Sequence, residues 1–321
     1  MSYYSEIHHK LHLLKQNLFS EREYGKIFML HRVAPFEKER LFPNENMKVT
    51  PDFLENKIIE LKKSGYDFIS LDVLYSDYLN GTKRKKIAIF TIDDGYSDIY
   101  YNAFPVFKKY SVPFTIYITT GFQEKKCFLW WYVLEDLLLE NDFIKTGDGQ
   151  VFDVASKKNK EEVFMQLRSK ILSFDPLHFK ESFLEMFSNY SLDLYEKYKN
   201  MILSWEQIIE LSKSDICTIG AHTLTHPVFK LLSKEQMFFE ALESKRIIEG
   251  KIKCPVEHFA YPFGSTNEID ENVISGFAHT PFKTVVVAYG GGLLKSKTQL
   301  NMLPREMLVQ LNTIKNESSE H

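Results

Sequence analysis

Asp93 and Asp94 stand where an apolar run meets a glycine, and two carboxylates at such a junction can divide acid–base and metal-binding work between them. Residues 87–92 (Ile, Ala, Ile, Phe, Thr, Ile) read as a strand buried on both faces, because no polar alternation interrupts them. Gly95 permits a sharp exit. The pair therefore falls at the C-terminal rim of a buried strand, where α/β barrels and open α/β sheets put their chemistry. Alone, the dipeptide has a plainer explanation, a helix cap beside a solvated carboxylate. A second cluster argues against it.

That cluster is Ile219-Gly220-Ala221-His222-Thr223-Leu224-Thr225-His226-Pro227. Histidines at this spacing share a face where the backbone turns helically, and the spacing brings two imidazoles onto one metal ion. Residues 217–221 read as another buried strand, so this pair also sits at a strand end. Two surface histidines near a turn are the plain alternative. A zinc-protease helix needs Glu directly after the first His. Position 223 is Thr, so a general base must come from elsewhere. One of the two aspartates can supply it, leaving the other as third ligand. His, His, Asp and a water make a divalent-ion site with an open position.

The elements that must hold these groups alternate. Strand candidates are 26–31, 67–71, 87–92, 114–119, 216–221, 257–261 and 284–288, with helical patterns at 51–64, 72–80, 99–110, 204–213, 234–252 and 268–276. Thr50-Pro51-Asp52-Phe53 reads as an N-cap followed by Pro at the first helical position. Ser233-Lys234-Glu235-Gln236 has the layout of a capping box. Alternation of this kind predicts a parallel sheet, and about seven strands with all the chemistry at their C-terminal ends predict a distorted barrel. Residues 122–203 break the rhythm. They carry helical patterns at 128–140, 159–173 and 176–200 and are too long for a plain connection. They read as a helical insertion rising from the catalytic face. The polar residues from 312 onward read as a frayed tail.

Composition agrees with an enzyme. The chain has 321 residues, 44% hydrophobic and 26% charged, enough for one large core. Net charge is −3 with signs interspersed, so nothing in it points to nucleic acid or anionic lipid as a partner. No apolar run approaches the ~20 residues of a membrane span. Residues 1–23 lack the apolar segment of a signal peptide, so a cytoplasmic location is expected. Cys127, Cys217 and Cys254 are scattered and odd in number, and read as reduced and buried.

At these motifs the chain resembles the polysaccharide deacetylases (NodB-type, carbohydrate esterase family 4). Thr91-Ile92-Asp93-Asp94-Gly95-Tyr96 is similar to their first motif, His222-Thr223-Leu224-Thr225-His226 to their second, and Phe259-Ala260-Tyr261-Pro262-Phe263-Gly264 to the third motif of one branch. The ordered set is far more specific than any one motif. The resemblance implies a distorted (β/α)7-like barrel spanning 1–321 as one catalytic domain. It implies removal of an N-acetyl (or O-acetyl) group from a carbohydrate with release of acetate, and a divalent ion, zinc foremost. Carried over residue by residue, Asp93 resembles the catalytic base, and Asp94, His222 and His226 the metal ligands. Tyr261 and Phe263 lie in a segment resembling the loop whose backbone N–H binds the oxyanion.

Two departures stand out. The family's third motif begins with an Arg that orients the base, and residues 258–264 contain none. Arg32 or Arg305 can replace it. The C-terminal His that serves as general acid is also unmatched, since only His321 follows residue 280. One branch is circularly permuted, including deacetylases of poly-N-acetylglucosamine, and its acid follows the first strand. Met29-Leu30-His31-Arg32-Val33 resembles that motif, which makes His31 the candidate acid. Trp130 and Trp131 in the insertion can stack on a sugar ring or simply pack against the barrel. The rival readings are a retaining glycosidase, which leaves both histidines unused, a carbohydrate-binding barrel without activity, and an amidase acting on a small non-sugar C–N bond.

Overall fold

The computed structural model describes residues 23–294 and 299–310; the expected polar tail at 312–321 lies outside the described residues. Seven parallel strands close into a barrel: β1 (Gly25–Leu30), β2 (Ile87–Ile92), β3 (Phe114–Ile118), β4 (Cys217–Ala221), β5 (His258–Ala260), β6 (Thr284–Gly290) and β7 (Leu303–Met307). Around the ring the order is β1-β7-β6-β5-β4-β3-β2, and β2 pairs back onto β1 in register from Gly25↔Ile87 to Leu30↔Ile92. Ile27, Ile89, Tyr117, Ala260, Val286 and Leu303 fill the interior. The neighbours Phe28, Phe90 and Phe114 point outward and pack with Phe107 against the surrounding helices. Both strand faces are buried, which is why the strands carry no polar alternation.

The ring has the expected number of strands but differs in one member. Residues 67–71 form only the two-residue strand Asp67–Phe68, which flanks the start of β2 outside the ring. The Ser70 hydroxyl accepts from the Val73 N–H and starts the helix Leu71–Asn80, which cuts the strand short. The seventh place belongs to β7, Leu-Pro-Arg-Glu-Met, whose Pro and two charges hide its strand character. Its pairing with β6 shifts between Val286 and Gly290, and this irregularity accommodates the proline. Gly290 has φ +118°, and a Cβ there would lie 2.8 Å from Pro304 Cβ, so only glycine fits.

The caps read from sequence are present. Thr50 caps Pro51–Lys63, and Ser233 with Gln236 closes both halves of a capping box on Lys234–Ile252. The insertion leaves after β3 and returns before β4. It contains the helices Trp130–Leu139, Lys157–Ile171 and Phe179–Met186 and an antiparallel hairpin, Phe143–Lys145 with Val151–Asp153. The expected helix at 176–200 ends at Met186, and the chain beyond it is irregular before the 3-10 turn Lys199–Met201. All three cysteines are unpaired, but only Cys217 is buried; Cys254 is exposed just past the left-handed cap Lys253. Among the described residues no helix is long and apolar enough to cross a membrane.

Candidate active site

The C-terminal ends of β1, β2, β4 and β7 converge on one cleft. The Asp93 N–H donates to the Leu30 carbonyl (3.0 Å), tying the end of β2 to β1. The chain then reverses through two left-handed residues, Asp94 (φ +71°) and Gly95 (φ +80°). After β4, the His222 N–H continues the sheet to the Ile118 carbonyl at 2.9 Å. The two histidines do not ride a helical turn. Left-handed Thr223 (φ +72°) and His226 (φ +60°) fold a tight loop between them, and the Thr223 hydroxyl accepts from the His226 N–H at 2.9 Å. Four of the seven non-glycine residues with positive φ among those described belong to this rim: Asp94, Thr223, His226 and Phe263. Such strain persists only where the surroundings hold it, and it concentrates at functional sites.

Asp94 Oδ1 lies 3.4 Å from His222 Nε2 and 3.3 Å from His226 Nε2. The ligand atoms of the three side chains fall within 4.8 Å of one another. His222 Nδ1 lies 2.8 Å from the Ala260 carbonyl, so that nitrogen carries a hydrogen and Nε2 is the ring atom turned toward Asp94. Asp94 Oδ1 is buried and receives no hydrogen bond among the described residues, an arrangement costly to leave uncompensated. Two imidazole nitrogens and this orphaned carboxylate oxygen suit a divalent cation with open positions. Burial raises the Asp94 carboxyl and the two imidazoles more than reverse it, holding it well below the usual carboxylate range. Burial lowers the His226 imidazole and favours its unprotonated, ligating form.

Asp93 has a different partner. Arg305, on β7, grips it through two parallel bonds of 2.7 Å, while its Nε donates to the Val287 carbonyl (2.9 Å) and its Nη1 to the Thr91 hydroxyl (3.2 Å). Arg305 is 2% exposed, so this fork is fixed on every side. Burial raises the Asp93 carboxyl, but Arg305 and His222 reverse this and keep it below its ordinary value. Arg32 is engaged elsewhere, with Asp98 (2.7 Å) and the Tyr132 hydroxyl (2.6 Å), and its guanidinium lies over the Tyr96 ring. Of the two arginines the sequence offered, Arg305 is the one beside Asp93.

His31 follows β1 and lines the same cleft as Asp93, Asp94, His222 and His226. Its Nδ1 has no hydrogen-bond partner among the described residues, and burial lowers its imidazole against the pull of Asp94 and Asp93. His258 opens β5, at the far end of the strand from the cleft, beside Thr284 and Asp72, and His279 is exposed. Phe263 packs edge-on against His226 (4.7 Å between centroids), and its N–H donates to nothing among the described residues. Tyr261 is not brought to the cleft. Its ring is buried against Phe229, Phe259 and Phe277, and its N–H is spent on the Val286 carbonyl. Trp131 is half-buried on the cleft wall 5.5 Å from the His226 ring, its indole N–H donating to the Tyr96 hydroxyl (2.8 Å). Trp130 is 4% exposed and serves chiefly as packing. Sequence reasoning missed Tyr96, although it directly follows the Asp-Asp-Gly turn. The cleft encloses about 1010 Å³, with the short helix Phe42–Glu45, the Asn46 and Met47 that follow it, and the insertion helix Lys157–Ile171 forming its outer walls.

Comparison with known proteins agrees with this geometry. A search of curated proteins returned no match. Among solved structures, a Streptococcus pyogenes deacetylase, PplD, in complex with acetate superposes with a TM-score of 0.59 at 18% identity, over 90% of this chain and 94% of that one. IcaB from Ammonifex degensii gives 0.56 at 18% over 90% and 93%, and a de-N-acetylase from Aggregatibacter actinomycetemcomitans 0.57 at 15% over 88% and 93%. At these identities the likeness is one of fold. The family model described as polysaccharide deacetylase matches residues 80–283, a span that contains the Asp-Asp pair, both loop histidines and the Phe263 turn. The chain belongs to the polysaccharide deacetylase family.

Proposed function

We propose that the protein hydrolyses N-acetyl groups on a carbohydrate, releasing acetate and a free amino sugar. One observation carries this reading: adjacent aspartates with different partners, one gripped by a buried arginine and one facing two imidazole nitrogens, at one cleft. Neighbouring carboxylates set in different environments take different roles. Asp94, His222 and His226 would hold a divalent cation, for which the nitrogen-rich donor set favours zinc. When bound, such an ion polarises the acyl carbonyl and lowers the pKa of a bound water toward ~7.

The remaining steps fall to the protein's own groups. Asp93 is ionised, and each oxygen keeps a lone pair beyond its bond to Arg305, so it accepts the proton of the attacking water. The Phe263 N–H donates to the acyl oxygen as that atom gains charge; one such donor is typically worth ~3 kcal/mol. An amide nitrogen leaves only when protonated, and His31 supplies that proton as imidazolium, the form that the charges of Asp94 and Asp93 favour against burial. Proton uptake at Asp93 and release at His31 leave the charge of the site unchanged. The half-buried face of Trp131 offers a platform for a sugar ring. Neighbours described as a deacetylase bound to acetate and as a de-N-acetylase support the same chemistry.

The test is parallel measurement of acetate, primary amine and reducing ends from N-acetylated oligosaccharides, with zinc and with chelator. Equimolar acetate and amine, dependent on metal, are expected. Acetate from an O-acetylated oligosaccharide run alongside, with neither acetate nor amine from the N-acetylated one, would point to ester hydrolysis, and reducing ends without acetate would make the protein a glycosidase.

A further inference from the structure

The loop joining the two histidines is gripped from both sides by residues that are not ligands. The Leu224 and Thr225 N–H groups both donate to Glu240 Oε2, at 2.9 and 2.8 Å, and the Thr225 hydroxyl donates to Oε1 at 2.7 Å. Glu240 projects from the helix Lys234–Ile252 and is 9% exposed. On the opposite side the N–H groups of Thr120 and Gly121, where the insertion begins, donate to the Thr223 and Leu224 carbonyls at 3.2 and 2.6 Å. A Cβ on Gly121 would lie 2.1 Å from the Leu224 oxygen, so only glycine allows this approach.

These contacts satisfy a backbone that cannot satisfy itself. The loop has left-handed residues at Thr223 and His226, a conformation that relaxes unless its surroundings hold it. Two N–H groups and two carbonyls within three residues are paired outside regular structure, and losing either set leaves buried polar groups unmet. Relaxation would carry His226 away from Asp94, because His226 is anchored through the same loop.

We infer that Glu240 and Gly121 are positioning residues that clamp the inter-histidine loop and thereby set the affinity of Asp94, His222 and His226 for their metal. This rests on reading those three as the metal site. Removing an outer partner of a metal ligand typically costs ~10–100-fold in affinity.

The experiment is zinc titration against a chromophoric chelator, with thermal unfolding of the metal-free protein measured alongside. Glu240→Ala and Gly121→Ala should each bind zinc ~10–100-fold more weakly. Glu240→Gln keeps one oxygen for the two N–H groups and should recover most of the affinity. Ile248→Ala, on the same helix and fully buried, should lower the melting temperature and leave zinc affinity unchanged. If Glu240→Ala does not fold, Gly121→Ala and Glu240→Gln still decide. Wild-type zinc affinity in Glu240→Ala and Gly121→Ala, with melting lowered as in Ile248→Ala, would reduce the clamp to a fold element. Wild-type affinity in His226→Ala as well would overturn the metal-site reading itself.

Discussion

The two sides of the cleft are built on opposite principles. On the barrel rim, Asp93, Asp94, His222 and Arg305 are each no more than 5% exposed. The backbone there is strained at four non-glycine positions, and Asp93 has both oxygens bound by one guanidinium. On the insertion side, the helix Lys157–Ile171 turns Lys158, Glu161, Glu162, Met165 and Gln166 toward the cleft at helical spacing, most of them exposed. They are held loosely, by one bond from the Phe42 N–H to Glu161 (3.0 Å), by the exposed pair Lys158–Glu162 (3.8 Å) and by the helix itself, which Lys160 ties to the Leu138 and Asn141 carbonyls at 2.5 Å. The rim fixes atoms and the insertion offers area. On the proposed function, chemistry and substrate choice would be separable in this molecule, and substitutions on the two sides should affect different kinetic constants.

The sharpest way to break that comparison is to remove the metal. His226→Ala, or chelation of the wild type, should reduce acetate release to background, and zinc should restore only the chelated wild type; turnover that survives both would place the chemistry elsewhere. Next comes His31. His31→Ala should lose ~10²–10⁴-fold on an amide and much less on an activated ester, whose leaving group needs no proton. Equal losses on the two substrates would make His31 structural. A smaller effect is expected at Arg305→Lys, which keeps the charge but not the fork. Misplacing the base by about 1 Å can cost ~10²-fold, so kcat should fall while zinc affinity holds; a changed KM at constant kcat would refute an orienting role. The smallest effect belongs to the insertion. Lys158→Ala with Glu162→Ala should raise KM for an N-acetylated oligosaccharide several-fold with kcat nearly constant, the signature of lost uniform binding. A fall in kcat alone would show that the outer wall takes part in chemistry.

The sequence showed the rim better than it showed the wall. Strands buried on both faces announce themselves by unbroken apolar runs, and the Asp-Asp-Gly and His-x-x-x-His clusters fall directly after two of them. Strand β7 stayed hidden because Pro304, Arg305 and Glu306 carry the composition of a loop; what makes them a strand is the closing of the ring between β1 and β6. Arg305 was legible as a candidate but not as the choice over Arg32, since each stands within two residues of a leucine in a short apolar stretch and only tertiary placement separates them. Tyr261 was misread for a related reason. In the short strand end His-Phe-Ala-Tyr, one residue of register decides between core and cleft, and Tyr261 faces the core. In the insertion, the hairpin Phe143–Lys145 with Val151–Asp153 has strands too short to leave a periodic signal, and the helix ending at Met186 gives way to a turn that composition did not announce. Glu240 and Gly121 left no trace either, because their partners are backbone groups distant in sequence.

The division of labour between the adjacent aspartates is tested most directly by measuring zinc content and acetate release on the same preparations of wild type, Asp93→Asn and Asp94→Asn. Asp93→Asn should keep stoichiometric zinc and lose ~10²–10⁴-fold in turnover, whereas Asp94→Asn should lose both. Near-normal turnover in Asp93→Asn, or full zinc occupancy in Asp94→Asn, would contradict the assignment.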